Sequence, residues 1–176
     1  CQHAGIIDLG SNTTRLIVVA YQSPHFFKLL DEVRSVVRLA HGIGSDGKLQ
    51  PQPMYRAVET LKMFHSLCQA KDIQHVVAVG TSALRDATNK DEFLQTVKQE
   101  AGLDLRVLTG DEEAYYGYLG VVNSVLVNNG FVIDIGGGST EVTEIYRRTM
   151  GRAVSQPAGT VRFTEHFVNS DPISKK

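Results

Sequence analysis

The sequence predicts an α/β fold on a mixed sheet, followed by the start of a second, duplicated subdomain. Three observations carry that expectation. Apolar residues run in strand-length blocks as far as Leu39, then switch to helical spacing after Pro53. From Val76 onward, short apolar blocks alternate with helical stretches, the pattern of an α/β protein. Ile7-Asp8-Leu9-Gly10-Ser11-Asn12-Thr13-Thr14 is matched by Ile133-Asp134-Ile135-Gly136-Gly137-Gly138-Ser139-Thr140, 126 positions later (134 minus 8), and a repeat redefines a fold. The repeat divides the chain into a first subdomain, residues 1–129, and an incomplete second one, residues 130–176.

Each element follows from its residues. Ile6 to Leu9 and Arg15 to Tyr21 are apolar or β-branched runs joined by Gly10-Ser11-Asn12, which predicts a β-hairpin. A third strand runs from Phe26 to Leu39 and ends in the cluster Gly42 to Gly47. Met54, Ala57, Val58, Leu61, Phe64 and Cys68 then recur at three and four residues, the stripe of an amphipathic helix with a proline near its start. Val76 to Gly80 is continuously apolar, which predicts a strand covered on both faces. Thr81 or Ser82 caps a short helix, and Asn89 caps the next, through Phe93, Val97 and Ala101. Leu105 to Leu108 is a strand. Thr109-Gly110-Asp111-Glu112 has capping-box spacing at the head of a helix reaching about Val122. After Asn128-Asn129-Gly130 come a buried strand, Phe131 to Ile135, then strands from Glu141 to Tyr146 and near Ala153 to Gln156.

Composition narrows the function classes. Eighteen Lys+Arg against 19 Asp+Glu leave a net charge of −1, with 42% hydrophobic and 21% charged residues among 176. Such a chain folds, and so neutral a one does not capture nucleic acid by a basic field. Any phosphate site is built locally. No apolar stretch approaches the roughly 18 residues of a membrane span, so no membrane role is expected. Two cysteines and no leading signal-peptide pattern favour a reducing, cytoplasmic setting. Starting at Cys1 and ending as a new segment opens, the chain reads as a fragment.

The two glycine turns carry the chemistry. Each joins two strands, so neither is a P-loop. Without Cβ atoms, successive N–H groups can converge on phosphate oxygens, with side-chain donors from Ser11, Asn12, Thr13, Ser139 and Thr140. Tight hairpin turns would need the same glycines, but two matched copies favour a binding role. Asp134 and Glu141 could hold Mg²⁺, which takes oxygen ligands; a turn-capping Asp and a solvated Glu are the alternative. Position 15, equivalent to Glu141, is Arg15, so Asp8 has no facing carboxylate, and Arg15 reads as solvated. Glu112 and Glu113 suit the first turn of a helix, where acids complement the dipole. Arg85 can pair with Asp86 or with solvent. The histidines lack metal-type spacing, and Cys68 lies on the apolar stripe, which disfavours zinc and thiol chemistry.

Ile7-Asp8-Leu9-Gly10-Ser11-Asn12, Gly80-Thr81 with Arg85 and Asn89, Gly110-Asp111-Glu112-Glu113-Ala114, and Asp134-Ile135-Gly136-Gly137-Gly138-Ser139-Thr140-Glu141 together resemble the exopolyphosphatase/guanosine pentaphosphate phosphohydrolase family. The likeness runs from about Ile6 to Phe167. It implies the actin-like fold, in which two duplicated ribonuclease-H-like subdomains clamp phosphates. It further implies that Glu113 activates the attacking water, that Arg85 contacts the phosphate chain, and that Asp134, Glu141 and Asp8 lie near Mg²⁺ or another divalent cation. Gly10, Ser11, Asn12 and Thr13, with Gly136, Gly137, Gly138, Ser139 and Thr140, then form the phosphate-binding loops. The implied activity is release of terminal phosphate from polyphosphate or guanosine pentaphosphate, with guanosine tetraphosphate as a further ligand and a homodimer as one candidate assembly. A non-catalytic alarmone sensor on the same fold is the alternative, and an actin-like sugar or acetate kinase a third reading.

Overall fold

The computed structural model describes residues 2–22, 26–168 and 170. It divides into two compact units, Cys1–Val107 and Leu108–Lys176.

The first unit contains β1 (Gln2–Leu9), β2 (Thr13–Gln22), β3 (Phe26–Val36), α1 (Pro51–Ala70), β4 (His75–Gly80), α2 (Ser82–Asp86), α3 (Lys90–Ala101) and β5 (Leu105–Val107). Its sheet has the order β3-β2-β1-β4-β5, antiparallel across β3-β2-β1 and parallel across β1-β4-β5. This mixed α/β topology agrees with a ribonuclease-H-like subdomain. The predicted α1 stripe buries Ala57, Val58, Leu61, Phe64 and Cys68 with Ile7, Leu9 and Leu16 of the sheet and Phe93 and Val97 of α3. Each such large side chain contributes about 1.5–3 kcal/mol when fully buried. Burial also pushes the Cys68 thiol up from its ordinary pKa, which leaves it protonated and unreactive.

Three expectations need correction here. β4 is not covered on both faces: Ala78 is 4% exposed, but Val77 on the opposite face is 55% exposed. Thr81 precedes α2, and Asn89 precedes α3, each without capping its helix through its side chain. The Asn89 amide instead accepts the Leu49 N–H at 2.9 Å and donates to the Leu49 carbonyl at 3.2 Å, which pins the loop before α1.

The second unit contains α4 (Gly110–Ser124), β6 (Gly130–Ile135), β7 (Thr140–Tyr146), β8 (Thr149–Gln156) and α5 (Thr160–Phe167). The strands form an antiparallel sheet in the order β6-β7-β8, and α4 packs against all three. Tyr118, Val122 and Ile145 form its core. The expected capping box is present: Glu112 N–H donates to Thr109 Oγ1 and Thr109 N–H to Glu112 Oε2. β6 is not the buried strand expected, since Ile133 and Ile135 are each 63% exposed; α4 covers the other face. By compactness α4 belongs with the second sheet, whereas the repeat boundary at 129 groups it with the first. α5 is an element the sequence reading lacks. Among the described residues, no helix is long and apolar enough to cross a membrane.

Candidate active site

In the first unit, parallel β1 and β4 end side by side, with Leu9 opposite Gly80. The Gly10 turn and α2 therefore emerge at one edge, and the Thr81 N–H joins them through the Leu9 carbonyl at 3.2 Å. Gly10 N–H closes the turn on the Thr13 carbonyl at 3.1 Å. Ser11 Oγ lies 2.9 Å from Ser82 Oγ and accepts the Ala83 N–H at 3.2 Å. That hydroxyl, expected to reach phosphate, is turned inward and committed to α2, so position 11 can offer only its backbone. The Asn12 side chain is exposed and that of Thr13 half-buried. Arg85 rides on α2, half-buried, with Nε 3.9 Å from Asp86 Oδ1. Asp8 is exposed and faces Arg15 in register. Arg15 is not simply solvated: its Nε is 3.3 Å from Glu32 Oε1, an oxygen that Arg34 Nε also approaches at 2.6 Å. The hydrogen bond from Arg34 is the main cause holding the Glu32 carboxyl below its usual range.

In the second unit, Gly136 N–H closes on the Ser139 carbonyl at 2.9 Å, the same bond as in the first turn at positions 126 higher. Asp134 stands opposite Glu141, and Glu141 opposite Ser155, so all three share one face of the sheet. Facing Cβ atoms in such a row are about 5 Å apart. Glu141 is 3% exposed, and Ser155 Oγ donates to its Oε1 at 2.7 Å. α4 lies against this face through two glycines. A Cβ on Gly110 would sit 2.6 Å from Ser155 Cβ, and one on Gly117 would sit 3.9 Å from Asp134 Oδ2. Glu113, three residues after Gly110 and four before Gly117, lies on the same helical stripe. The two adjacent glutamates thus divide their roles: Glu112 fixes the start of the helix, and Glu113 lies on the stripe that meets the carboxylate row.

The remaining predicted residues separate by their partners. Thr140 Oγ1 donates to the Ala158 carbonyl, whereas Ser139 Oγ is buried with no hydrogen-bond partner. For a divalent cation, the donor set of Asp134 and Glu141 fits Mg²⁺, which is commonly held by one or two carboxylates together with substrate phosphates. Among the described residues no group of three His, Cys, Asp or Glu is gathered to hold a metal. Asp8 has no facing carboxylate in its own sheet, since Arg15 occupies that register position. Sequence reasoning missed Ser155, whose signal is only its place opposite Glu141. It also missed Gly159 to Arg162, where Phe163 and Phe167 at four-residue spacing marked a helix behind the turn.

The model of the Ppx/GppA phosphatase family matches residues 18–176. Exopolyphosphatase 1 of Mycobacterium bovis is 31% identical over 175 residues, 98% of this chain and 51% of its own length. The bifunctional 3-dehydroquinate synthase/phosphatase of Fusobacterium nucleatum is 31% identical over 92% of this chain and 26% of its own. Among solved structures, an exopolyphosphatase from Cytophaga hutchinsonii superposes with a TM-score of 0.91 at 31% identity, covering 99% of this chain and 56% of that one. The Aquifex aeolicus PPX-GPPA enzyme gives 0.80 at 32% identity over 98% and 58%. The chain thus spans about half or less of the length of the curated relatives it matches. With a family match over nearly all its residues, and glycine turns and a carboxylate row where the motifs predicted them, the chain belongs to the Ppx/GppA phosphatase family.

Proposed function

We propose that the protein carrying this chain is a metal-dependent phosphohydrolase that releases terminal phosphate from inorganic polyphosphate or guanosine pentaphosphate. The observation that carries the reading is the common stripe of Gly110, Glu113 and Gly117, laid against Asp134, Glu141 and Ser155. Glu113 accepts a proton from the attacking water. The N–H groups of the two glycine turns bind phosphate oxygens, and Arg85 contacts the chain of phosphates. Asp134 and Glu141 would hold the cation, which neutralises phosphate charge when bound. Relatives that are themselves named exopolyphosphatases support the substrate class. The matched turn bonds, 126 positions apart, support reading the units as duplicated halves of an actin-like fold.

Phosphoryl transfer depends on positioning and on stabilising charge spread over the outer oxygens. A positioned general base contributes ~10² to 10⁴-fold, and a preorganised donor about 10² to 10³-fold. Glu113→Gln should therefore lower phosphate release from polyphosphate with Mg²⁺ present by about 10² to 10⁴-fold. Release at the wild-type rate would remove Glu113 from the role. Tight guanosine tetraphosphate binding with no turnover of any phosphoanhydride in the wild type would favour the sensor instead.

A further inference from the structure

The second glycine turn is gripped from one side by the chain that follows β8. Thr160 N–H donates to the Gly136 carbonyl at 2.9 Å and Val161 N–H to the Gly137 carbonyl at 2.8 Å, an oxygen that Arg162 N–H also reaches at 3.3 Å. Thr160 Oγ1 adds a second bond to Gly136 at 3.3 Å, and Arg162 Nε donates to the Gly138 carbonyl at 3.1 Å. Three consecutive carbonyls are thereby turned toward one segment. The approach depends on Gly159, where a Cβ would lie 2.4 Å from C and O of Gly137 and from N of Gly138. This is backbone lying on backbone, and no side chain fits between.

In a planar trans peptide, a carbonyl and the N–H of the next residue point in opposite directions. Fixing the carbonyls of Gly136, Gly137 and Gly138 toward residues 159–162 therefore sets the N–H groups of Gly137, Gly138 and Ser139 on the other side of the turn. Successive N–H groups on one side make an anion-binding concavity. Ser139, 2% exposed and with its Oγ unpartnered, belongs to the same stretch. The first turn is held comparably, with Val37 and Arg38 N–H on the Asn12 carbonyl and Ala40 N–H on that of Ser11.

We propose that residues 159–162 are a latch that preorganises the Gly136–Ser139 cradle, with Gly159 and Arg162 as positioning residues that act through the turn. The proposal rests on reading that turn as phosphate-binding. Arg162 serves by anchoring the Gly138 peptide, which makes its contribution separable from a direct charge on the substrate.

The test is titration of the full chain with tripolyphosphate, following the amide resonances of Gly137, Gly138 and Ser139. In the wild type those three should shift. Arg162→Ala should weaken binding about tenfold while the amides of β7 and β8 keep their positions. Arg162→Gln, which retains an N–H donor for the Gly138 carbonyl but carries no charge, should recover most of the affinity, a rescue that neither loss of folding nor a lost charge on the substrate would give. Gly159→Ala should abolish the shifts; if that variant fails to fold, the two Arg162 variants decide. Binding by Arg162→Ala within about twofold of wild type, with all three amides still shifting, overturns the latch and leaves the cradle standing. Wild-type amides that do not move overturn the cradle reading itself, and the latch with it.

Discussion

Gly110 shows how a single position sets the approach to β8 of α4, the helix that carries Glu113. Ser155 donates to Glu141 from β8 while its Cβ fills the space that a side chain at 110 would need. Both atoms belong to a helix and a strand, so neither can swing aside as the end of a flexible side chain would. Gly110→Ala should therefore destabilise the second unit by about 1–3 kcal/mol, the usual cost of overpacking. If the proposed function holds, it should also lower phosphate release, because the Ser155 bond to Glu141 lies at the point of contact. Urea denaturation followed by an activity assay checks both; an unchanged midpoint would mean that α4 does not approach β8 so closely. At this scale the sequence disclosed residue types but not their partners. Ser11 and Thr140 read as phosphate donors, yet their hydroxyls are committed to α2 and to the Ala158 carbonyl. The capping-box spacing singles out Glu112, but nothing in the spacing shows what Glu113 faces.

Among the elements, α4 was the most legible because its start is encoded within four residues. Thr109 and Glu112 satisfy each other's backbone donors, and the box needs nothing from elsewhere in the chain. Thr109→Ala should cost about 1 kcal/mol and loosen the helical turn that carries Glu113, readable as faster amide exchange at Glu112 and Glu113. Equal exchange in both proteins would show that packing, not capping, holds the helix start. Elements that depend on distant partners were less legible. β6 carries the apolar run Phe131-Val132-Ile133 expected of a buried strand, but a run reports the strand and not what covers it, and Phe131 is 70% exposed. β4 differs from its apolar run in the same way at Val77, which is 55% exposed. α5 has no local start signal because its first N–H groups are satisfied by the carbonyls of Gly136 and Gly137, more than twenty residues earlier. Asn89 reads as a cap, but Leu49, forty residues away, takes its amide.

Across the whole chain, the internal repeat was legible because it is a comparison of sequence with itself, independent of packing. How much apolar surface each unit buries was not legible, and the two differ sharply. The first core runs through Ile7, Leu16, Leu61, Phe64, Phe93 and Val97, all at most 2% exposed, and draws on α1, α3 and the sheet. The second centres on Tyr118, Val122 and Ile145, with Ile133, Ile135 and Phe131 left on the open face of the sheet. Local stability follows buried apolar contacts, and regions poor in them open at lower free energy. Amides of β1, β2 and β4 should therefore exchange slowest in the native chain, and those of β6, β7 and β8 distinctly faster. Each sheet has a central strand paired on both sides, β1 and β7, so pairing alone predicts similar protection there. Hydrogen exchange resolved to single amides separates the two accounts, and equal protection of β1 and β7 would show that backbone pairing rather than core burial sets stability in this chain. Phe64→Ala gives the complementary reading, since truncating so large a buried side chain costs about 3–5 kcal/mol. That loss should speed exchange across β1, β2 and β4, the strands that share its core.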